Sequence, residues 1–165
     1  MVAGAVDPTT PLGDSEEFYR RVLASDVVRE EDGSWAGKLS SQAFADREMQ
    51  PSVDRVLLCD GPARTQREPE NAVVGVTRQQ IRAEKYYLKD RHNQPIPKPE
   101  FAADVCRDPC PEADPENTAH CLIRLNPHPD KSQQKVYKRL IESLARVARP
   151  RLPPVGVLVI EAAPE

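Results

Sequence analysis

The chain has 165 residues, a hydrophobic fraction of 39%, a charged fraction of 30% and a net charge of −3. That length suits one domain able to bury roughly two thirds of its unfolded surface without metal or disulfide help. No run of about 18 apolar residues occurs, so no membrane-spanning helix is expected, and the acidic balance argues against a dedicated nucleic-acid binder.

Residues 1–14 read as a flexible tail of small residues and prolines, without the basic start and apolar stretch of a secretion signal. A cytoplasmic location follows as the expectation. Residues 17–22 alternate as a first strand would, although Asp14 with Glu17 offers a competing helix cap. Asp32-Gly33 between β-prone runs is a hairpin signal across 27–39. Ser40 and Ser41 precede a short capped helix over 42–46. Residues 52–59 read as a buried strand ended by Asp60-Gly61-Pro62. One helical turn over 69–74, a short apolar stretch at 74–76 and a Thr77-capped helix over 78–84 follow.

Between 89 and 115 six prolines intervene (Pro95, Pro97, Pro99, Pro109, Pro111 and Pro115). Each fixes φ and removes an amide donor, so an irregular stretch is expected, with at most a short edge strand over 101–106. Such a stretch is a natural binding loop. Residues 118–125 read as a strand. Asp130 with Gln133 makes a capping box for a helix from Lys131 to about Arg149. The apolar residues Val136, Tyr137, Leu140, Ile141, Leu144, Val147 and Ala148 fall on one face of it. Pro150 stops that helix, and 155–160 read as a last strand, uniform enough to be covered on both faces. The pattern implies an α+β fold: a mixed or antiparallel sheet packed against one long C-terminal helix and one or two short ones, as a single domain over 15–165.

The chemistry is less marked. Sixteen arginines against seven lysines, with abundant Ala, Val and Pro, point to a GC-rich coding sequence and a bacterial source. Between 126 and 151 seven basic residues face two acidic ones, leaving the remainder at −8. Glu142 interrupts this stripe and no aromatics interleave, so it reads as a solvated helix face whose last cations complement the helix dipole. Cys59, Cys106, Cys110 and Cys121 read as reduced thiols. Cys106, Cys110, His120 and Cys121 are zinc-ligand types close in sequence. Their spacing is looser than a knuckle, and adjacent His120 and Cys121 on a strand point to opposite faces, so no metal is assigned. Neither a nucleophile elbow nor a phosphate loop occurs, and no motif specifies a cofactor.

An anion site remains. Arg20, Ser41 and His120 are its candidate catalytic residues, with Tyr19, Arg21, Ser40 and Arg55 as candidate ligand contacts. Guanidinium forks bind phosphate or carboxylate in bidentate fashion, and serine hydroxyls add donors. His120, on a strand directly after the proline-rich stretch, is placed to present a base. An arginine on a first strand followed by serines at a strand end resembles the arrangement with which mono-ADP-ribosyltransferase-like folds hold NAD. The resemblance implies a nucleotide-like anionic ligand; no catalytic glutamate can be placed. Two functions are therefore expected: an accessory module binding a protein partner through 89–115 and a free sheet edge, or a small enzyme or binder acting on an anionic nucleotide-like ligand.

Overall fold

Alternating and uniformly apolar segments pair into one seven-stranded sheet. Its strands are β1 (Glu17–Val22), β2 (Ser52–Arg55), β3 (Ala72–Thr77), β4 (Lys85–Lys89), β5 (Pro95–Arg107), β6 (His120–Asn126) and β7 (Arg149–Leu152). They lie in the order β4-β5-β6-β2-β1-β3-β7, and every pairing among them is antiparallel. Among the described residues three α-helices accompany them: α1 (Ala63–Gln66), α2 (Arg78–Arg82) and α3 (Gln134–Val147). The fold is α+β, an antiparallel sheet against one longer C-terminal helix. The structure is a computed structural model and describes residues 7–109 and 117–160. Among the described residues no helix is long and apolar enough to cross a membrane.

Side chains alternate across each strand, so register decides what each face holds. Phe18, Val53, Val74, Phe101 and Ile123, from five adjacent strands, share one core with Val136, Leu140 and Leu144 of α3. Each such side chain contributes about 1.5–3 kcal/mol on burial. The helix begins where the sequence places its cap. Asp130 accepts from the Ser132 amide, while the Gln133 side chain accepts from the Asp130 amide, and this box starts a 3₁₀ turn that runs into α3. Thr77 and Gln80 make a second box that starts α2.

Several local expectations are corrected. The strand expected over 52–59 ends at Arg55 and gives way to a 3₁₀ turn, and 69–74 hold no helical turn, since β3 already begins at Ala72. The stretch expected to be irregular from 89 carries the longest strand, β5, in a hairpin with β4. Its prolines Pro95, Pro97 and Pro99 occupy the half that pairs with β4 alone, whereas β6 pairs only with Ala102–Arg107. Proline is tolerated where one side of a strand has no ladder to lose. The part of that stretch from Cys110 to 115 lies outside the described residues. Residues 42–46 form turns, not a helix. Across 27–39 the expected strands reduce to a bridge between Val27 and Leu39 around a turn closed by Gly33, whose φ of 82° suits glycine. The final strand is β7; residues 155–160 are instead attached by one bridge, with Trp35 donating to Leu158 and Ile160 donating to Trp35, while Val155 and Leu158 are exposed. A run of uniform hydrophobicity carries no period from which to tell a covered strand from an exposed segment.

The N-terminal segment is tied down through arginine. Arg55, on the core face of β2, is 1% exposed and forms a buried ion pair with Glu16. Its remaining donors reach the Pro8 and Pro11 carbonyls at 3.3 and 3.4 Å, and Arg78 donates to the Leu12 carbonyl at 2.6 Å. Removing one partner of such a pair leaves the other charge buried and uncompensated, a loss of about 3–5 kcal/mol. Glu16→Ala is therefore expected to lower unfolding free energy in urea by that amount. Glu16→Leu combined with Arg55→Met restores part of it; a double variant no more stable than the single one would contradict the buried-charge account.

Candidate functional site

The site arises where two strands part. β1 and β2 pair only at Phe18–Arg55 and Tyr19–Asp54, although β1 continues to Val22 and β2 begins at Ser52. Arg20 occupies the gap. It donates to the Ser52 carbonyl at 2.9 Å, to Ala45 at 3.1 Å and to Ala43 at 3.3 Å, with its guanidinium carbon 5.8 Å from the Phe44 ring centroid. Tyr137 of α3 completes the clamp by donating to the Phe44 carbonyl and accepting from the Asp46 amide. These side chains take the carbonyls of 43–45 that a helix would have used, which is why the turn over 42–46 does not wind further. Burial lowers the Arg20 pKa from the ordinary arginine value, and burial pushes the Tyr137 phenol up to about 12.

Through this gap runs a cleft of about 510 Å³. On the face away from α3, Tyr19, Asp54 and His120 stand in register on β1, β2 and β6, and all three line it. Arg21 lines it from β1, two residues beyond Tyr19 on the same face. Thr65 and Arg67 reach it from the segment that crosses that face after β2.

The hydrogen-bonding state of the lining groups is unequal. Asp54 accepts from Thr65 at 2.7 Å and from Asn117 at 2.9 Å. Asp46 accepts from the Glu48 and Gln50 amides, and Asp26 from the Ser40 hydroxyl at 2.6 Å. The carboxylates of the cleft are thus already supplied with donors. Arg21 and Arg67, by contrast, have no hydrogen-bond or ion-pair partner among the described residues. Arg67 also sits at φ 63°, ψ −64°, with the Glu68 amide donating to the Gln66 carbonyl at 2.8 Å. That is the γ-turn of positive φ, rare and strained for any residue with a side chain.

His120 is held at one nitrogen only. Its Nδ1 lies 2.7 Å from the Asp108 backbone carbonyl and 3.2 Å from the Asp108 carboxylate. A carbonyl oxygen only accepts, so Nδ1 carries the proton, and Nε2 of the neutral ring carries the lone pair. Nε2 has no partner among the described residues. Burial raises the Tyr19 phenol above its ordinary value, with Glu17 adding to the shift, so the hydroxyl stays protonated at neutral pH.

Of the residues named from sequence, Tyr19, Arg20, Arg21 and His120 line this one cleft. Ser40 and Ser41 do not: Ser40 supports Asp26, and Ser41 is exposed beside it. Arg55 lies on the opposite face, spent on Glu16. Asp54, Thr65, Arg67 and Asp108 were not named, because no motif marks them: register brings Asp54 to the cleft, Thr65 and Arg67 reach it from α1 and its C-cap, and Asp108 stands behind His120. Among the thiols, Cys121 faces the core, where burial pushes it up to about 12, while Cys106 and His120 occupy the other face. Cys110 lies outside the described residues, and among the described residues no three metal-ligating side chains converge.

Compared with known proteins, the chain matches no family model, no curated protein and no solved structure.

The two neighbouring arginines of β1 have opposite roles in stability. Arg20→Met removes three charge-assisted bonds and leaves buried carbonyls unpaired, so a loss of about 2–4 kcal/mol is expected, with faster hydrogen exchange over 43–52. Arg21→Ala is expected to stay within about 0.5 kcal/mol of the parent chain. Equal losses in the two variants would overturn the assignment of Arg20 as the clamp.

Proposed function

We propose that the chain binds a small anionic, nucleotide-like ligand in the cleft between β1 and β2, with Arg21 and Arg67 as its charge contacts. The observation that carries this reading is that neither guanidinium has a partner among the described residues, in a cleft whose carboxylates already have hydrogen-bond donors. Guanidinium forks match phosphate and carboxylate oxygens in bidentate fashion, and two of them together suit the multiple charge of a phosphate. The volume lies within the range of small-molecule sites, and the Tyr19 ring gives the wall an apolar surface for the remainder of the ligand. The strain at Arg67 supports the same reading, because a side chain held at a costly backbone position is often held there for a ligand. Free thiols at Cys59, Cys106 and Cys121 suit a reducing compartment, so we place the protein in the cytoplasm, of a bacterium by its composition.

Thermal unfolding with inorganic phosphate, AMP, ATP and NAD tests it. Ligand at about 100 times Kd adds roughly 2.7 kcal/mol of stability. Arg21→Ala is expected to abolish that gain. Arg67→Gly relieves the strained turn, so the unliganded variant gains on the order of 1 kcal/mol while losing most of the ligand effect. If none of the four compounds stabilises the parent chain, or if both variants respond as the parent does, the reading fails.

A second reading keeps the chain as a protein-interaction module. The observation favouring it is the β4–β5 hairpin, exposed throughout 89–98 beside the edge strand β4. A partner held in this way is lost when 91–98 are shortened to a two-residue turn and retained in Arg21→Ala; the opposite result removes this reading.

A further inference from the structure

We propose that the cleft hydrolyses a phosphodiester, with His120 as the general base and Asp108 as its positioning residue; this rests on the anion-binding reading above. Three observations converge. The Asp108 carbonyl fixes the tautomer of His120, so the lone pair sits on Nε2 in every neutral molecule. The Asp108 carboxylate, 3.2 Å from the same Nδ1, stabilises the imidazolium that forms when Nε2 takes a proton. And His120 lines the cleft together with Arg21 and Arg67, so a phosphorus held by the two guanidiniums shares the cleft with the base.

The chemistry of the site selects the substrate class. A carboxylic ester brings no charge for Arg21 and Arg67 to hold before reaction, whereas a phosphate ester does. Phosphomonoester transfer passes through a loose transition state that gains little from a base. A diester reacts through a tighter one in which activating the attacking oxygen matters more. Water between Nε2 and phosphorus gives its proton to Nε2 as its oxygen forms the new P–O bond. The opposite P–O ester bond breaks, its electron pair leaves on the alcohol oxygen, and that oxygen is protonated from solvent. His120 then returns its proton to solvent, and the products are a phosphomonoester and an alcohol. Arg21 and Arg67 neutralise the charge that accumulates on the two non-bridging oxygens.

Bis(p-nitrophenyl) phosphate tests the base alone, because nitrophenolate leaves without a proton. The full-length chain is expected to release nitrophenolate, and His120→Gln to lose about 100-fold or more in kcat. Asp108→Asn keeps the carbonyl and the tautomer but not the charge, so kcat falls with KM unchanged; a merely structural role would disturb both. Phosphate should still stabilise His120→Gln against heat as it does the parent chain. Release that is absent in a chain stabilised by phosphate, or equal in His120→Gln, overturns the catalytic proposal and leaves the binding reading intact. A chain that neither binds phosphate nor hydrolyses the diester overturns both.

Discussion

Arg20 is the interaction on which the cleft depends. A guanidinium has donors fixed in a plane, and here three of them take carbonyls from two stretches of chain that share no other regular structure: the loop at 43–45 and the start of β2. Bonds of this charge-assisted kind are stronger than neutral ones. The side chain in effect acts as a short strand. The Ser52 carbonyl points to it, and the two strands separate where their ladder would otherwise continue. Phe44 packs against the guanidinium plane, and Tyr137 binds the next carbonyl and the amide after it, so the loop is fixed from β1 and α3 together.

Much of this architecture was legible in the sequence, and the legible part is local. β1, β6 and α3 announce themselves by period, and the two capping boxes by residue type at fixed spacing, because those signals are set within a few residues. The failures share a cause. Pro95, Pro97 and Pro99 forbid a strand only if a ladder on both sides needs their amides, and whether β6 extends that far is a property of the whole sheet. Residues 42–46 have helix-compatible side chains, yet their carbonyls are claimed by Arg20 and Tyr137, which lie more than twenty and more than ninety residues away. Residues 155–160 are apolar without period, so nothing in them says that they are left largely exposed.

The candidate site divides along the same line. Tyr19, Arg20, Arg21 and His120 could be named because strand prediction places them and their side chains carry chemistry. Asp54 enters only through register, between Tyr19 and His120. Asp108 enters because its amide donates to the His120 carbonyl, which sets its own carbonyl and carboxylate against Nδ1. Arg20 and Arg55 show the harder ambiguity. Both are strand arginines two residues from an apolar core residue (Phe18 and Val53), and alternation puts both on the core face, yet a sequence gives no way to tell an arginine consumed by the protein from one left for a ligand.

That distinction is what gives the cleft its chemical sense. Of the arginines on β1 and β2, two are saturated: Arg20 by carbonyls, Arg55 by Glu16 and the N-terminal segment. Saturation makes them structural, since a ligand could recruit either only by breaking bonds the fold relies on. Arg21 and Arg67 offer their donors at no such cost. The turn at Arg67 sharpens the contrast. Gln66 and Asn71 lock it from both sides, the Gln66 side chain donating to the Asn71 carbonyl at 2.9 Å and the Asn71 amide to the Glu68 carbonyl at 3.0 Å. A glycine would occupy this backbone without strain, so the arginine there costs the free protein on the order of 1 kcal/mol or more. Nothing among the described residues recovers that cost, because the guanidinium touches no partner. An anion shared with Arg21, as proposed above, is the simplest group that would recover it.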